Sequence, residues 1–320
     1  MKIESVISGV GSHLPARRVT NDDLAKIVET SDDWIRSRSG IGARHFAAEG
    51  EAVSDMGAAA ARRAMAAAGV RPEDIGLIIL ATVTGDKTFP ASAVYVQEKL
   101  AVPPCPAFDV SAACGGFIYA LSIAHKFIAA GEVRHALVIG AEKLSCFLDW
   151  TDRATCVLFG DGAGAVVLSG ETGTGRGVVG AHISADGRLA KHLYSDGGPS
   201  TTATVGKVRM NGKEVFRNAV ENISNSVIEV ARKSNVRLKD IDWFVPHQAN
   251  IRIIEACAKR LDLDSEKIIV TIDRHANTSA ASIPLALDAG IRDGRIKRGE
   301  LLAFAALGGG LAWGAALVRY

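Results

Sequence analysis

Short apolar, β-branched runs alternate with alanine-rich stretches of helical periodicity along the whole chain, and that alternation predicts a layered α/β fold. Ala107-Phe-Asp-Val110 predicts a strand, and the apolar stretch from Phe117 to Ala130, closed by Gly131, predicts the helix after it. Farther on, Ile241-Asp-Trp-Phe-Val245 predicts a strand that runs through Pro246, His247 and Asn250 into a helix over Ile251 to Leu261.

The pattern repeats. Arg71-Pro-Glu-Asp-Ile-Gly-Leu-Ile-Ile-Leu-Ala-Thr82 aligns with Arg237 to Gln248 at an offset of 166 residues, and Ser111 to Leu121 aligns with Asn277 to Leu287 at the same offset. A third match, Gly131–Gly140 with Gly299–Gly308, lies at 168. Three matches in order imply a duplicated unit. The glycine-rich stretch Glu171 to Gly177 is the natural seam, which divides the chain into halves over 1–172 and 173–320.

Composition narrows the class of protein. With 320 residues, 48% of them hydrophobic and 22% charged, the chain can bury a large core, and disorder is not expected. A net charge of +2 is too mild to argue for nucleic acid. Five cysteines without a Cys-x-x-Cys pair argue against a zinc site or a disulfide framework and for a reducing compartment, with the cytoplasm as default. No leader-like apolar region opens the chain, and no apolar run reaches the ~18 residues of a membrane span.

The chemistry centres on Ser111-Ala-Ala-Cys114-Gly-Gly-Phe117. Cys114 falls between strand and helix, where unpaired N–H groups and the helix dipole favour a thiolate and the glycines admit a substrate. The competing role is an inert buried cysteine. The duplication sets Cys114 opposite Ala280, so one half alone carries the nucleophile. In the other half His247 and Asn277 occupy comparable strand-to-helix corners, the places where open α/β sheets hold ligands. His275 is the only close competitor to His247, and Asn277 could serve merely as a helix N-cap.

With Cys, His and Asn in that order, the chain resembles the β-ketoacyl-acyl carrier protein synthase III branch of the thiolase-fold condensing enzymes. The resemblance runs the whole length: Thr30-Ser-Asp-Asp-Trp34-Ile, Ser39-Gly-Ile, the Cys114 segment, Phe159-Gly-Asp-Gly-Ala-Gly-Ala165, His247-Gln-Ala-Asn250, Asn277-Thr-Ser-Ala-Ala-Ser and Gly308-Gly-Gly-Leu-Ala-Trp313-Gly. It implies a five-layer α-β-α-β-α fold, a homodimer, and initiation of type II fatty-acid synthesis without a cofactor. Cys114 would take the acetyl group from acetyl-CoA, with the N–H groups of Cys114 and Gly309 stabilising the oxyanion. His247 and Asn277 would then donate to the thioester oxygen of malonyl-acyl carrier protein as it loses carbon dioxide. For coenzyme A the resemblance implies Trp34 and Arg153 around the adenine, Arg38 on phosphate, and Thr30, Gly212 and Asn250 in support. Arg217, Arg252, Lys259 and Arg260 could meet the acidic carrier protein, or could form a solvated helical face.

Two positions depart from the resemblance: Ala276 stands where many relatives have glycine, and Leu307 where phenylalanine is common. The Asp-Gly turns of Phe159 to Ala165 look like a nucleotide loop, but they lack the following Lys-Ser/Thr of a P-loop and read as structural. A papain-like thiol hydrolase shares the residue order but lacks the sequence around its cysteine. Thiolases use a second cysteine and elongating synthases a second histidine, and both are disfavoured here. A synthase III-like acyltransferase of a secondary pathway, or one with another acyl-CoA primer, shares the expected fold, and a non-catalytic scaffold is the remaining class.

Overall fold

The computed structural model describes residues 2–320 and resolves the alternating pattern into two principal sheets. The first contains β1 (Glu4–His13), β2 (Leu77–Ala81), β3 (Ala107–Val110), β4 (His135–Glu142) and β5 (Gly162–Glu171), in the spatial order β1-β5-β4-β2-β3. The second contains β6 (Gly177–Ala190), β7 (Trp243–Pro246), β8 (Leu301–Gly308) and β9 (Gly310–Arg319), in the order β6-β9-β8-β7. Strand directions match from one sheet to the other: the first two neighbouring pairs are antiparallel and the third is parallel. A parallel bridge from Phe244 to Ile268 marks the place that β3 takes in the first sheet.

Register repeats with order. Leu77 lies opposite Ala136 and Trp243 opposite Leu302, so both members of the second pair stand 166 residues after the first. The sequence match at 168 is therefore out of register by two: β4 ends at Glu142 where β8 ends at Gly308. Beyond that point the halves differ. The chain makes an excursion over residues 143–161 before β5, whereas β8 turns into β9 through Gly309.

The helices of eight or more residues are α1 (Asp32–Ser39), α2 (Val53–Ala68), α3 (Ser92–Leu100), α4 (Gly116–Ala129), α5 (Gly212–Lys233), α6 (Ile251–Leu261) and α7 (Ser282–Arg292). Residues of α2 and α3 pack on the outer face of the first sheet, α4 and α7 lie between the sheets, and α5 and α6 cover the second. These are the five layers implied by the resemblance. Sequence explains the sorting. Central α4 buries Phe117, Ile118, Ala120, Leu121, Ala124 and Ile128, while outer α6 buries only the stripe Ile253, Ile254, Cys257, Ala258 and Leu261 and exposes Arg252, Lys259 and Arg260. Every residue of β2 and β8 is buried, as strands covered on both faces require. Each large aliphatic side chain so buried contributes about 1.5–3 kcal/mol.

A fourth apolar cluster joins α1, the ribbon Arg17–Thr20 with Ala43–Phe46, and the 143–161 excursion. The excursion is latched at its base by Asp161, whose buried carboxylate accepts the N–H groups of Ala47 and Ser145 and the Ser145 hydroxyl. The Asp-Gly turns are thus part of the scaffold.

Candidate active site

Cys114 sits in a single 3-10 turn, Ala113–Gly115, between β3 and α4. Ala113 is left-handed at φ 46, which lets the chain reverse within one residue of the cysteine. Gly308 closes on this turn so tightly that a Cβ there would lie 2.4 Å from the Cys114 nitrogen. Only glycine permits that approach, which brings the end of β8 and the following Gly309 against the Cys114 turn. The turn Ser279–Ala281 packs on the Ala113–Gly115 turn from the other half, so the two corners paired by the duplication meet face to face.

The six residues from Asn277 to Ser282 hold the other predicted groups. Asn277 Oδ1 accepts the Ser279 N–H at 2.9 Å, which leaves its Nδ2 as a free donor. Asn277 is thus not the N-cap that the sequence allowed, since Thr278 holds that position; its Oδ1 closes a local turn instead. Ser282 Oγ lies 2.5 Å from His247 Nδ1 and accepts a long hydrogen bond, 3.4 Å, from the Gln248 N–H. When Ser282 gives its own proton to Nδ1, the imidazole proton sits on Nε2, the tautomer that makes Nε2 a donor. Nε2 is buried and makes no hydrogen bond to the described residues. Burial pushes His247 down to about 3, so the ring is neutral and Nε2–H is a ready donor. His275, the competing histidine, is buried with its Nδ1 unpaired, and its carbonyl lies close against Gly160.

The thiol departs from expectation. Helix-terminus electrostatics predict a thiolate at Cys114, but burial pushes the group up to about 12, against a smaller lowering by a hydrogen bond with Ser279. Desolvation wins because Cys114 is only 7% exposed, and the resting group is a thiol. Ser279 Oγ in turn donates to Glu142 Oε1 at 3.0 Å. The other carboxylate oxygen accepts from the hydroxyls of Thr82 and Thr84 and from the Val83 N–H. Ser279, Ser282, Glu142 and the two threonines are site residues that the sequence reading did not single out.

A cavity of about 520 Å³ leads to the cysteine, lined near its floor by Cys114, Ser279, Phe159 and Gly309 and higher up by Phe147, Tyr194 and Val205. His247 and Asn277 stand behind this lining, both nearly fully buried. Among the described residues, no cluster of three or more His, Cys, Asp and Glu side chains has the arrangement of a metal site. No helix among them is long and apolar enough to cross a membrane.

The outlying candidates form two groups. Trp34 has the Arg38 guanidinium 4.9 Å and the Arg153 guanidinium 5.0 Å from its ring centroid, so three planar groups cluster at the surface. Arg153 also donates to the Glu29 carbonyl at 3.0 Å, and the Thr30 hydroxyl is buried without a partner. Asn250 is engaged at both ends, Oδ1 capping α6 through the Arg252 N–H and Nδ2 donating to the Arg38 carbonyl. Gly212 is the first residue of α5, exposed and capped by Asn211. Arg217 is paired with Glu214 at 2.6 Å, Arg252 lies 5.7 Å over Phe216, and Arg260 donates to Asn225. Arg252 and Lys259 are two turns apart on one face of α6, about 10 Å along its axis.

Ala276 adopts φ 57 and ψ −160, a region that is essentially restricted to glycine. Strain near 3 kcal/mol exceeds the roughly 1.5 kcal/mol that a buried methyl and a stiffer unfolded chain supply. Ala276→Gly is therefore expected to stabilise the protein by about 1 kcal/mol, read as a higher denaturant midpoint at unchanged slope. A lower midpoint would show that the surrounding turn relieves the strain. Leu307 is buried beneath the outer helices of the second sheet and pairs with Trp313 across the hairpin, so its contacts lie in the core of that layer.

A buried cysteine at a strand-to-helix corner of one sheet, with a neutral histidine and an asparagine at the corresponding corners of the second, sits in the five-layer fold of a thiolase-fold condensing enzyme. Family models described as 3-oxoacyl-[acyl-carrier-protein] synthase III match residues 108–187 and, for the C-terminal part, 231–320. The chain belongs to the β-ketoacyl-[acyl-carrier-protein] synthase III family. It is 58% identical over 316 residues to the synthase III of Rhizorhabdus wittichii, covering 99% of each chain. It is 57% identical over 323 residues to that of Rhodospirillum centenum, covering 100% of both. Among solved structures, 3-oxoacyl-[acyl-carrier-protein] synthase III from Aquifex aeolicus superposes with a TM-score of 0.94 at 47% identity, over 99% of this chain and all of that one. The priming β-ketosynthase of the R1128 polyketide pathway superposes with a TM-score of 0.93 at 35% identity, over 99% of this chain and 96% of that one.

Proposed function

We propose that this protein opens type II fatty-acid chains by joining an acetyl group from acetyl-CoA to malonyl-acyl carrier protein. The observation that carries this reading is the meeting of the Ala113–Gly115 turn, which bears Cys114, with the segment 277–282, which bears Asn277 and holds His247 through Ser282. Cys114 Sγ attacks the acetyl thioester, the N–H groups of Cys114 and Gly309 hold the oxyanion, and the CoA thiol leaves. Malonyl-acyl carrier protein then enters, its carbon–carboxyl bond breaks to release carbon dioxide, and His247 and Asn277 stabilise the resulting enolate. The enolate carbon attacks the acetyl carbonyl and displaces the Cys114 sulfur. Neutral donors suit this task, because a carboxylate in either place would repel the developing charge.

Acetyl-CoA is a substrate in this reading, and the chemistry calls for no cofactor. Trp34, Arg38 and Arg153 supply planar cations and an aromatic face for adenine and phosphate, with Thr30, Gly212 and Asn250 beside them. Adenine between Trp34 and Arg153 needs about 7 Å between the flanking groups, more than the 5.0 Å that now separates them, so Arg153 swings outward on binding. The division into halves over 1–172 and 173–320 assigns the nucleophile to one and both donors to the other. We further infer a homodimer working in the cytoplasm.

Arg217, Arg252, Lys259 and Arg260 are assigned to docking of the acidic carrier protein. Charge reversal at Arg252 and Lys259 together is expected to raise KM for malonyl-acyl carrier protein and flatten its salt dependence, with little change in acetyl transfer to Cys114. Steady-state condensation assays at several salt concentrations, run with a series of acyl-CoA primers, read both points. Equal loss in the two half-reactions would assign these residues to the substrate tunnel or the fold. Preference for longer or branched primers would favour the second reading, a priming synthase of a secondary pathway, for which the polyketide neighbour is the specific support.

A further inference from the structure

Arg44 is the bulkiest fully buried side chain of the described residues, and its hydrogen bonds go to amide oxygens rather than to a carboxylate. A buried cation without a counter-ion is costly, so the groups that its N–H fork holds are informative. Nη1 donates to Asn21 Oδ1 at 2.7 Å and, at the limit of reach, to the Val19 carbonyl at 3.5 Å. Nη2 donates to the Val157 carbonyl at 2.8 Å, and Nε has no partner among the described residues.

The two arms of this fork end at the two flanks of the proposed adenine site. Asn21 extends the first arm: its Nδ2 donates to Asp32 Oδ1, on the opening residue of α1, and to the Ile41 carbonyl beyond the helix end, both at 2.8 Å. The helix that bears Trp34 is thereby held on both sides of it. Val157 closes the short helix Arg153–Cys156, so the second arm fixes the backbone that carries Arg153. Gly160 packs so close that a Cβ there would lie 3.0 Å from the Arg44 Cβ, and the base of the 143–161 excursion rests on the same residue. Resting on the assignment of Trp34 and Arg153 to adenine, we propose that Arg44 is a positioning residue that sets the spacing of these two flanks, and with it the affinity for the nucleotide end of the acyl donor.

The task suits a guanidinium. Its planar fork holds two acceptors in fixed directions, whereas a lysine keeps the charge but offers a single point of attachment. The other tie between the flanks is the hydrogen bond from Arg153 to the Glu29 carbonyl, and it is lost as Arg153 swings outward for adenine. The spacing then depends on Arg44. Arg44 does not line the cavity that leads to Cys114, so it acts on the handle of the donor and not on its thioester.

The test compares acylation of the full chain by acetyl-CoA and by S-acetylpantetheine, which carries the same thioester without the nucleotide, each read by intact mass over a series of concentrations. Arg44→Lys should raise the half-saturating concentration of acetyl-CoA on the order of tenfold, the worth of one hydrogen bond to a charged group. Its maximal rate with acetyl-CoA and its second-order rate constant with S-acetylpantetheine should stay at the parent values. Asn21→Asp keeps an acceptor for Arg44 but turns the arm toward Asp32 and Ile41 into a repulsion, so it should show the same selective loss. It decides the matter if thermal melting shows that Arg44→Lys does not fold. In the unaltered protein, saturation with CoA but not with pantetheine should slow amide hydrogen exchange in the ribbon Arg17–Thr20 with Ala43–Phe46 as well as in α1. Equal weakening toward both donors, parent-like behaviour toward both, or protection confined to α1 would overturn the proposal. A parent protein that saturates at the same concentration of either donor would instead remove the adenine assignment itself, so the two failures are distinct.

Discussion

Exposure to acetyl-CoA is expected to add one acetyl group to the protein, which peptide mapping should find on Cys114 and on no other cysteine. This is the largest effect the site predicts. Cys105, Cys156 and Cys257 lie outside the cavity wall, and Cys146, which shares that wall, has no counterpart to the Ser279 contact or the Gly308 approach. Cys114→Ser is expected to lower condensation by on the order of a thousandfold or more, because a neutral hydroxyl is a far weaker nucleophile toward a thioester. Folding should survive, since the substitution removes little volume. Acetyl label on another cysteine with none on Cys114 would sink the mechanism.

The second large effect separates the half-reactions. His247→Ala and Asn277→Ala should still accept the acetyl group, yet each should decarboxylate malonyl-acyl carrier protein at least about a hundredfold more slowly, the usual consequence of losing one oxyanion donor. The turn closed by Asn277 Oδ1 supplies a sharper control. Asn277→Asp keeps an oxygen for the Ser279 N–H but replaces the Nδ2 donor by a second acceptor. It should fold and acylate normally while decarboxylating as poorly as the alanine variant. Decarboxylation by Asn277→Asp at the parent rate would reduce Asn277 to a turn residue. The donor roles also set the pH response: with His247 held near 3, its charge does not change across the neutral range, so decarboxylation should show no histidine inflection there. Rates of this step measured against pH would show it.

Much of this was legible in the chain. The strand at Ala107–Val110 and the helix at Ile251–Leu261 stand where the apolar pattern places them, and the helix predicted from Phe117 begins one residue earlier. The corner at Cys114 follows from the strand, the glycines and the helix taken together. What escaped has physical reasons. Ser279 and Ser282 lie in a run of small residues, where a hydroxyl carries no spacing signature, and Asn277 drew attention from them. Glu142 ends an apolar strand just as His247 nearly does, so the strand-end rule could have flagged it, but one carboxylate among 35 acidic residues announces nothing about burial. The thiol state of Cys114 depends on desolvation, a quantity set by the packing of Gly308 from nearly two hundred residues away. The shift of the third repeat match by two came from aligning glycines that serve different ends: Gly140 makes room for the Ala280 carbonyl, whereas Gly308 makes room for Cys114.

Residues 277–282 serve thiol, amide and imidazole at once, so the site contains no independent parts. Substitutions at Asn277 and Ser282 should not add, since each removes support that the other needs. A small molecule wedged between this segment and the Ala113–Gly115 turn would silence loading and enolate formation together, and an escape mutation that loosened the segment to evict it would weaken the same two steps.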